Sequence, residues 1–242
     1  MQIIWHGQSC FQISTNSSKN GGVNLVIDPF DEKIGLKLPK LEADILLVTH
    51  DHFDHNNLKA VSGPSVGSGQ APFIISDPGE YEIKRIYIQG IPAWHDKSQG
   101  KERGRIVLYT LEAEDGLKLC HLGDLGQTEL TEEQLDLIGD IDVLMIPVGG
   151  VYTIASQEAS KIIGQIEPKI VIPMHYQIPK LAIPRPHRGA GIPVAKSDLG
   201  IKLDDIEKFL KIMGVKSIDP QPKLSVKKKD LGEGTRVVVL KP

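Results

Sequence analysis

Apolar and polar positions alternate along this chain in short blocks, and several apolar blocks end on a histidine or an aspartate. Ile45-Leu46-Leu47-Val48 carries no charge, is β-branched at both ends and is too short for an amphipathic helix, so it predicts a strand buried on both faces. Val143-Leu144-Met145-Ile146 and Ile170-Val171-Ile172 read the same way. Val23 to Ile27 predicts a strand that stops at Asp28-Pro29, because proline disfavours helical geometry at the residue before it. Residues 2–4 and 11–13 predict two short strands around Trp5-His6-Gly7-Gln8-Ser9, and Phe73-Ile74-Ile75 and the alternating Tyr81–Ile88 segment add two more. Arg105–Leu111 and Leu117–Leu122 predict a hairpin across Glu114-Asp115-Gly116.

Helical signals are fewer. Asn56 or Asn57 is placed to cap a short helix through Ala60. Thr131 with Gln134 forms a capping box for a helix that Gly139 closes. Ser156 caps a helix with Ile162, Ile163 and Ile166 on one face. Asp204 with Glu207 caps a last helix whose apolar face is Ile206, Phe209, Leu210 and Met213, with strands near 223–228 and 235–240 closing the chain. Lys97 to Gly104 reads as a mobile loop. No repeat and no long linker interrupts the pattern, so residues 1–242 are expected to form one domain.

Composition narrows the class. Of 242 residues, 40% are hydrophobic and 24% charged, enough for a sizeable core. The net charge of −3 offers no general footprint for nucleic acid. The start, Met1-Gln2-Ile3-Ile4-Trp5-His6, lacks the charged and apolar regions of a signal peptide, and no apolar run approaches membrane-spanning length. Cys10 and Cys120 are no disulfide framework; they fit small core positions and a reducing cytoplasm.

The candidate chemistry lies where strands end. His50, His52, Asp54 and His55 follow the Ile45–Val48 run directly, so three of the eight histidines fall within six residues. His50 and His52, two apart on extended backbone, project to one side, while Asp54 and His55 are free to point at a neighbouring position. His95, Asp124 and His175 also sit at strand ends; each alone reads as an ordinary loop residue. Together the seven supply five imidazoles and two carboxylates, a donor set for two divalent ions with Asp124 bridging. Zinc suits it best, and manganese or iron also fits.

His50-x-His52-x-Asp54-His55, then His95, Asp124 and His175, resembles the metallo-β-lactamase superfamily of binuclear hydrolases over roughly residues 3 to 180. Trp5 to Phe11, Asp28-Pro29 and Ala93-Trp94-His95 are similar to its ascorbate-6-phosphate lactonase-like branch, except that many relatives carry histidine where this chain has Gln8. The resemblance implies a four-layer αββα sandwich. It also implies one metal on His50, His52 and His95, a second on Asp54, His55 and His175, and Asp124 joining them. Two ions about 3.5–4 Å apart would hold a bridging hydroxide, with Asp54 orienting it and Asp124 holding the pair together.

The expected substrate is a small anionic ester or lactone. Residues 178–194 follow His175 and carry Pro179, Pro184, Pro186 and Pro193 with Lys180, Arg185, His187 and Arg188. Arg185 and Arg188 are candidate anion contacts, since arginine presents a fork suited to phosphate or carboxylate. A second basic stretch, Lys97, Lys101, Arg103 and Arg105, follows His95. His6, Tyr152 and Tyr176 are further candidates for substrate contact, Asp28 is placed to support a ligand histidine, and His121 is expected to be structural. Two alternatives share the motif: a phosphodiesterase or nuclease, and a non-catalytic metal-binding protein. Apolar residues in the closing strands leave room for a homo-oligomer.

Overall fold

The computed structural model describes residues 1–15, 22–64, 71–181 and 202–242. β1 (Gln2–Gly7), β2 (Cys10–Ser14), β3 (Asn24–Ile27), β5 (Ile45–Leu47), β7 (Phe73–Ile75) and β14 (Leu224–Ser225) form one sheet in the order β14-β1-β2-β3-β5-β7, while β4 (Leu41–Glu42) and β6 (Val61–Ser62) make a separate small pair. A second sheet contains β8 (Gly79–Ile83), β9 (Ile86–Trp94), β10 (Arg105–Glu112), β11 (Lys118–His121), β12 (Val143–Pro147), β13 (Ile170–Met174) and β15 (Arg236–Val237). Its order is β15-β13-β12-β11-β10-β9-β8. One apolar cluster fills the space between the sheets and runs from Ile3 and Phe11 to Leu144 and Val171. Tyr109 on β10 crosses it, and its hydroxyl donates to the carbonyls of Val48 and Ile75 at the ends of β5 and β7. Removing that hydroxyl would take a buried donor from the Val48 carbonyl where the sheets meet, while the Ile75 carbonyl would keep the Val48 amide.

Three α-helices are described. α1 (Glu132–Ile138) packs on β9, α2 (Ser156–Ile166) packs on β12, and α3 (Ile206–Ile212) packs on α2. This mixed α/β fold of two sheets and few helices is of the expected class, and among the described residues the α-helices lie on the side of the second sheet. β5, β12 and β13 are buried at every residue, as their uncharged runs require of strands covered on both faces. β3, β5 and β7 run parallel, as do β11, β12, β13 and β15. β9 is antiparallel to β10, which is antiparallel to β11, so β9 and β11 point the same way. Within each sheet the strands that precede candidate ligands therefore end at a common edge, where crevices form in α/β folds.

Local chemistry moves several predicted boundaries. The Tyr81–Ile88 segment is broken at Lys84-Arg85, both at positive φ, which closes the β8–β9 hairpin. The helix expected through Ala60 is a single 3-10 turn, Leu58–Ala60, and Asn57 precedes it without a side-chain capping bond. Thr131 and Gln134 do form the capping box. Ser156 instead begins α2 and donates to the Val148 carbonyl, while Glu158 accepts from the Ala155 amide. Asp205 rather than Asp204 caps α3, because Asp204 is held by Lys208 Nζ. The closing strands shrink to β14 and β15, yet Leu224, Val226, Val238, Val239 and Leu240 are buried within the chain itself. Both cysteines are free and buried. No helix among the described residues is long and apolar enough to cross a membrane.

Candidate metal centre

The seven predicted side chains meet at one end of the sandwich in two adjoining sets. His50, His52 and His95 form the first; Asp54, His55, Asp124 and His175 form the second, and within each set the donor atoms lie within 4.8 Å of one another. The His50 ring centroid is 4.2 Å from that of His55 and 4.7 Å from that of His95, so the sets touch. Asp124 Oδ2 lies 3.2 Å from His55 Nε2, 3.3 Å from His175 Nε2 and 3.7 Å from His95 Nε2, which places it between the two groups.

The backbone that brings them together departs from the extended geometry expected at His50 and His52. β5 ends at Leu47, and the His52 amide bonds the His50 carbonyl while the His55 amide bonds that of His52, so the cluster sits on tight turns. Gln8, Asp28 and His175, none of them glycine, adopt left-handed backbone at φ 51, 49 and 53. Such conformations cost of order 1–3 kcal/mol each and persist where the surroundings over-determine them. Gly149 lets the loops close: a Cβ there would stand 2.0 Å from the His175 carbonyl oxygen.

Asp28 sets the imidazole tautomers in both sets. Its carboxylate accepts from the Thr49 amide at 2.8 Å, the Thr49 hydroxyl at 2.7 Å and His55 Nδ1 at 3.0 Å. The Thr49 hydroxyl has one proton and gives it to Asp28, so His50 Nδ1, 2.9 Å away, must be the donor in their contact. His50 and His55 therefore both present Nε2 to the centre. His55 Nε2 is buried without a hydrogen-bond partner, and it faces the carboxylates of Asp124 at 3.2 Å and Asp54 at 3.6 Å. A lone pair aimed at two anionic oxygens is unfavourable unless a proton or a metal ion lies among them, and with further imidazole donors beside it the set fits a metal ion.

Electrostatics separates the sets. Burial, aided by neighbouring His55, holds His50 well below its ordinary value, and burial with His55 likewise lowers His52. His95 is pushed down to about 4 by burial, against the pull of Asp124. Burial also opposes charge on His55, but Asp124, Asp54 and Asp28 outweigh it and raise its pKa well above the ordinary value. Asp124 is held well below the usual carboxylate range by His175 and His55 despite complete burial. In the absence of metal, burial thus favours neutral imidazoles in the first set, whereas in the second the buried His55 and Asp124 favour one another's charged forms.

Two further contacts come from the turn between β1 and β2. Gln8 Nε2 donates to Asp54 Oδ2 at 3.1 Å, and Ser9 Oγ donates to Asp124 Oδ1 at 3.1 Å. The turn is itself pinned, since the Gln8 carbonyl accepts from Trp5 Nε1 and the His175 amide, and the Ser9 carbonyl from His121 Nε2. Gln8 thus reaches the centre, and its buried Oε1 has no partner. Ser9 had no motif to single it out. His121 is structural, as its buried ring bonds Ser9 and the Gly123 amide.

Among the substrate candidates, half-buried His6 has Nε2 3.3 Å from Gln12 Oε1, a partner outside the candidate ligands. Tyr176 is buried with its ring 5.1 Å from that of Trp5. Arg185 and Arg188 lie outside the described residues. Lys97 to Gly104, expected to be mobile, is instead organised by Asp96, whose buried carboxylate accepts the amides of Ser98, Gly100, Glu102 and Arg103. The sequence signal was an aspartate followed by serine and two glycines, a composition that builds turns on the aspartate side chain.

This fold and this centre define the metallo-β-lactamase superfamily, and the chain belongs to it: a family model described as a beta-lactamase superfamily domain matches residues 2–175. Its relatives include a UPF0173 metal-dependent hydrolase of Thermococcus onnurineus, 31% identical over 196 residues that cover 73% of this chain and 84% of that one. A protein of the same name from Methanopyrus kandleri is 31% identical over 204 residues, with the same coverage. Among solved structures, a Thermotoga maritima protein assigned to the Zn-dependent hydrolases of the superfamily superposes with a TM-score of 0.69 at 29% identity, covering 99% of this chain and 97% of that one. A metallo hydrolase from Ignicoccus hospitalis shares the fold at 18% identity and a TM-score of 0.58, over 93% of this chain and 99% of that one.

Proposed function

We propose that this metal-dependent hydrolase works with two divalent ions, best zinc, on a small anionic ester or lactone in the cytoplasm. His50, His52 and His95 hold one ion, Asp54, His55 and His175 the other, and Asp124 serves both. The observation that carries this reading is the unpaired, buried His55 Nε2 facing two carboxylates, beside a second cluster of three neutral imidazoles. A metal pair in such a site supplies Lewis acidity and makes a water molecule nucleophilic near neutral pH.

The chain's own groups do the rest. Asp124, with Oδ1 bonded by Ser9, keeps Oδ2 turned to the histidines. Asp54, bonded by Gln8, is the acidic group placed to orient the attacking water and take its proton. Asp28 holds His50 and His55 in the tautomers that offer Nε2 inward. The likeness of Trp5–Phe11 to the ascorbate-6-phosphate lactonase-like branch supports lactone or ester substrates.

Metal analysis of protein purified without added metal, paired with a panel of lactones, carboxylic esters, thioesters, phosphomonoesters and phosphodiesters, tests the proposal. About two ions per chain and turnover of anionic lactones or esters are expected. One ion per chain would overturn the binuclear reading, and cleavage of phosphodiesters alone would move the substrate class to the phosphodiesterases.

A further inference from the structure

Beside the metal centre lies a cleft of about 300 Å³ whose wall includes His95 itself. Its opposite walls come from the Asp96 loop and from the turn after β12, which carries Tyr152 and Thr153. Four features make this a built surface rather than a gap between loops.

The first is the Asp96 carboxylate, which ties the amides of Ser98, Gly100, Glu102 and Arg103 and so holds the Arg103 backbone in place. The second is a stack: the Arg103 guanidinium carbon lies 3.5 Å from the centroid of the Tyr152 ring. A guanidinium on an aromatic face keeps the edge of its fork, and hence its N–H donors, directed outward. The third is the backbone of Tyr152, held at φ 67 in the left-handed region that bulky residues avoid. The fourth is the disposition of the charges that line the cleft. Lys97 Nζ is bound by Glu158 at 2.9 Å, Glu102 accepts from the Ser98 hydroxyl at 2.8 Å, and Asp96 is occupied by the loop amides. Arg103 has no ion-pair partner among the described residues.

Resting on the hydrolase reading above, we propose that this cleft is the subsite for the anionic group of the substrate, a carboxylate or a phosphate, with Arg103 as its specificity-determining contact and Tyr152 as the residue that positions Arg103. An anion seated on the guanidinium edge is next to His95, so the scissile ester or lactone carbonyl of the same small molecule reaches the metal centre. The substrate class is then an ester or lactone whose charge lies a short spacer from the reacting bond.

Metal-loaded wild type, Arg103→Gln, Arg103→Lys and Tyr152→Leu decide the matter in two assays. The first is hydrolysis of a matched set of lactones or esters bearing a carboxylate, a phosphate, or a neutral methyl-capped group. In Arg103→Gln, KM for one charged substrate is expected to rise about 10- to 100-fold, the value of a charge-assisted hydrogen-bond pair, with kcat within about twofold and the neutral analogue unaffected. Arg103→Lys should recover part of that loss, and Tyr152→Leu should lie between wild type and Arg103→Gln. Whichever charged substrate responds more identifies the group. The second assay is calorimetric binding of inorganic phosphate to the same proteins, where Arg103→Gln is expected to weaken binding about tenfold. Equal KM changes on charged and neutral substrates, with unaltered phosphate affinity, would overturn the subsite and leave the hydrolase standing. No hydrolysis by wild type carrying two ions would overturn the hydrolase reading, and phosphate binding would still judge the cleft on its own. The Asp96 network uses the backbone of Arg103, so the side-chain variants keep the loop and their melting temperatures should match wild type.

Discussion

The two candidate ligand sets are neighbours built on opposite principles. His50, His52 and His95 are three imidazoles, two of them only half-buried, all held neutral chiefly by burial. Asp54, His55, Asp124 and His175 are all buried, and opposite charges stabilise one another there. Without a metal, the second set can satisfy itself by keeping a proton on His55, whereas the first gains nothing by protonation. The difference teaches that the second set is part of the folded core's electrostatics, while the first is a group of neutral donors that could hold a cation. Gln8, Ser9 and Asp28 reinforce this division, since two of them bond the carboxylates and the third fixes one histidine in each set.

The largest effect expected from breaking this contrast is at Asp124. Asp124→Ala removes the anion that faces three histidines and leaves His55 buried with its charge poorly compensated, a loss of about 3–5 kcal/mol in the metal-free protein. Denaturant melts should show it, and hydrolysis should be lost; retained turnover would mean that the sets are not joined there. His52→Ala should empty the half-buried set alone, lowering metal content from about two ions to about one per chain with little change in the fold. If both ions leave together, the sets are one site.

Asp28→Asn sharpens the comparison, because one substitution acts on both sets. An amide can turn only one acceptor oxygen to Thr49 and His55, so metal affinity measured by chelator competition should fall about 10- to 100-fold for both ions. A loss confined to one ion would break the relay through Thr49. Acid should separate the sets in the metal-free protein. His95 titrates near 4 when folded and near its ordinary 6.5 when unfolded. Between those values the unfolded chain binds more protons, so stability falls as pH drops through that window. His50 and His52 act in the same direction; His55, raised when folded, opposes them. Melting temperature should therefore decline on acidification, and His95→Gln should remove about one proton from the slope. The smallest effect is at the turn: Ser9→Ala should cost about 1 kcal/mol and lower metal affinity only modestly.

The ligand spacing was legible in the sequence because His50 to His55 are adjacent in the chain and follow a strand that cannot be mistaken for a helix. His95, Asp124 and His175 were legible only jointly, since each alone reads as an ordinary loop residue and it is their combination with the His50–His55 cluster and the family resemblance that marks them out. The tautomer relay was not, since it depends on Asp28 and Thr49 meeting across 21 residues of chain. Nor was the order in the Lys97–Gly104 loop, which reads as flexible by its glycines and charges until Asp96 is seen buried with four amides on it.

By itself the sequence determined which strands are buried, where they stop and which side chains with metal-binding atoms stand at those stops, because all three follow from short-range hydrophobicity and backbone sterics. Tertiary structure decided which of those side chains share a donor set, which nitrogen each offers, and that Arg103 lies against Tyr152. Those relations are distances between residues far apart in the chain, and only the closure of two sheets over a common core fixes such distances.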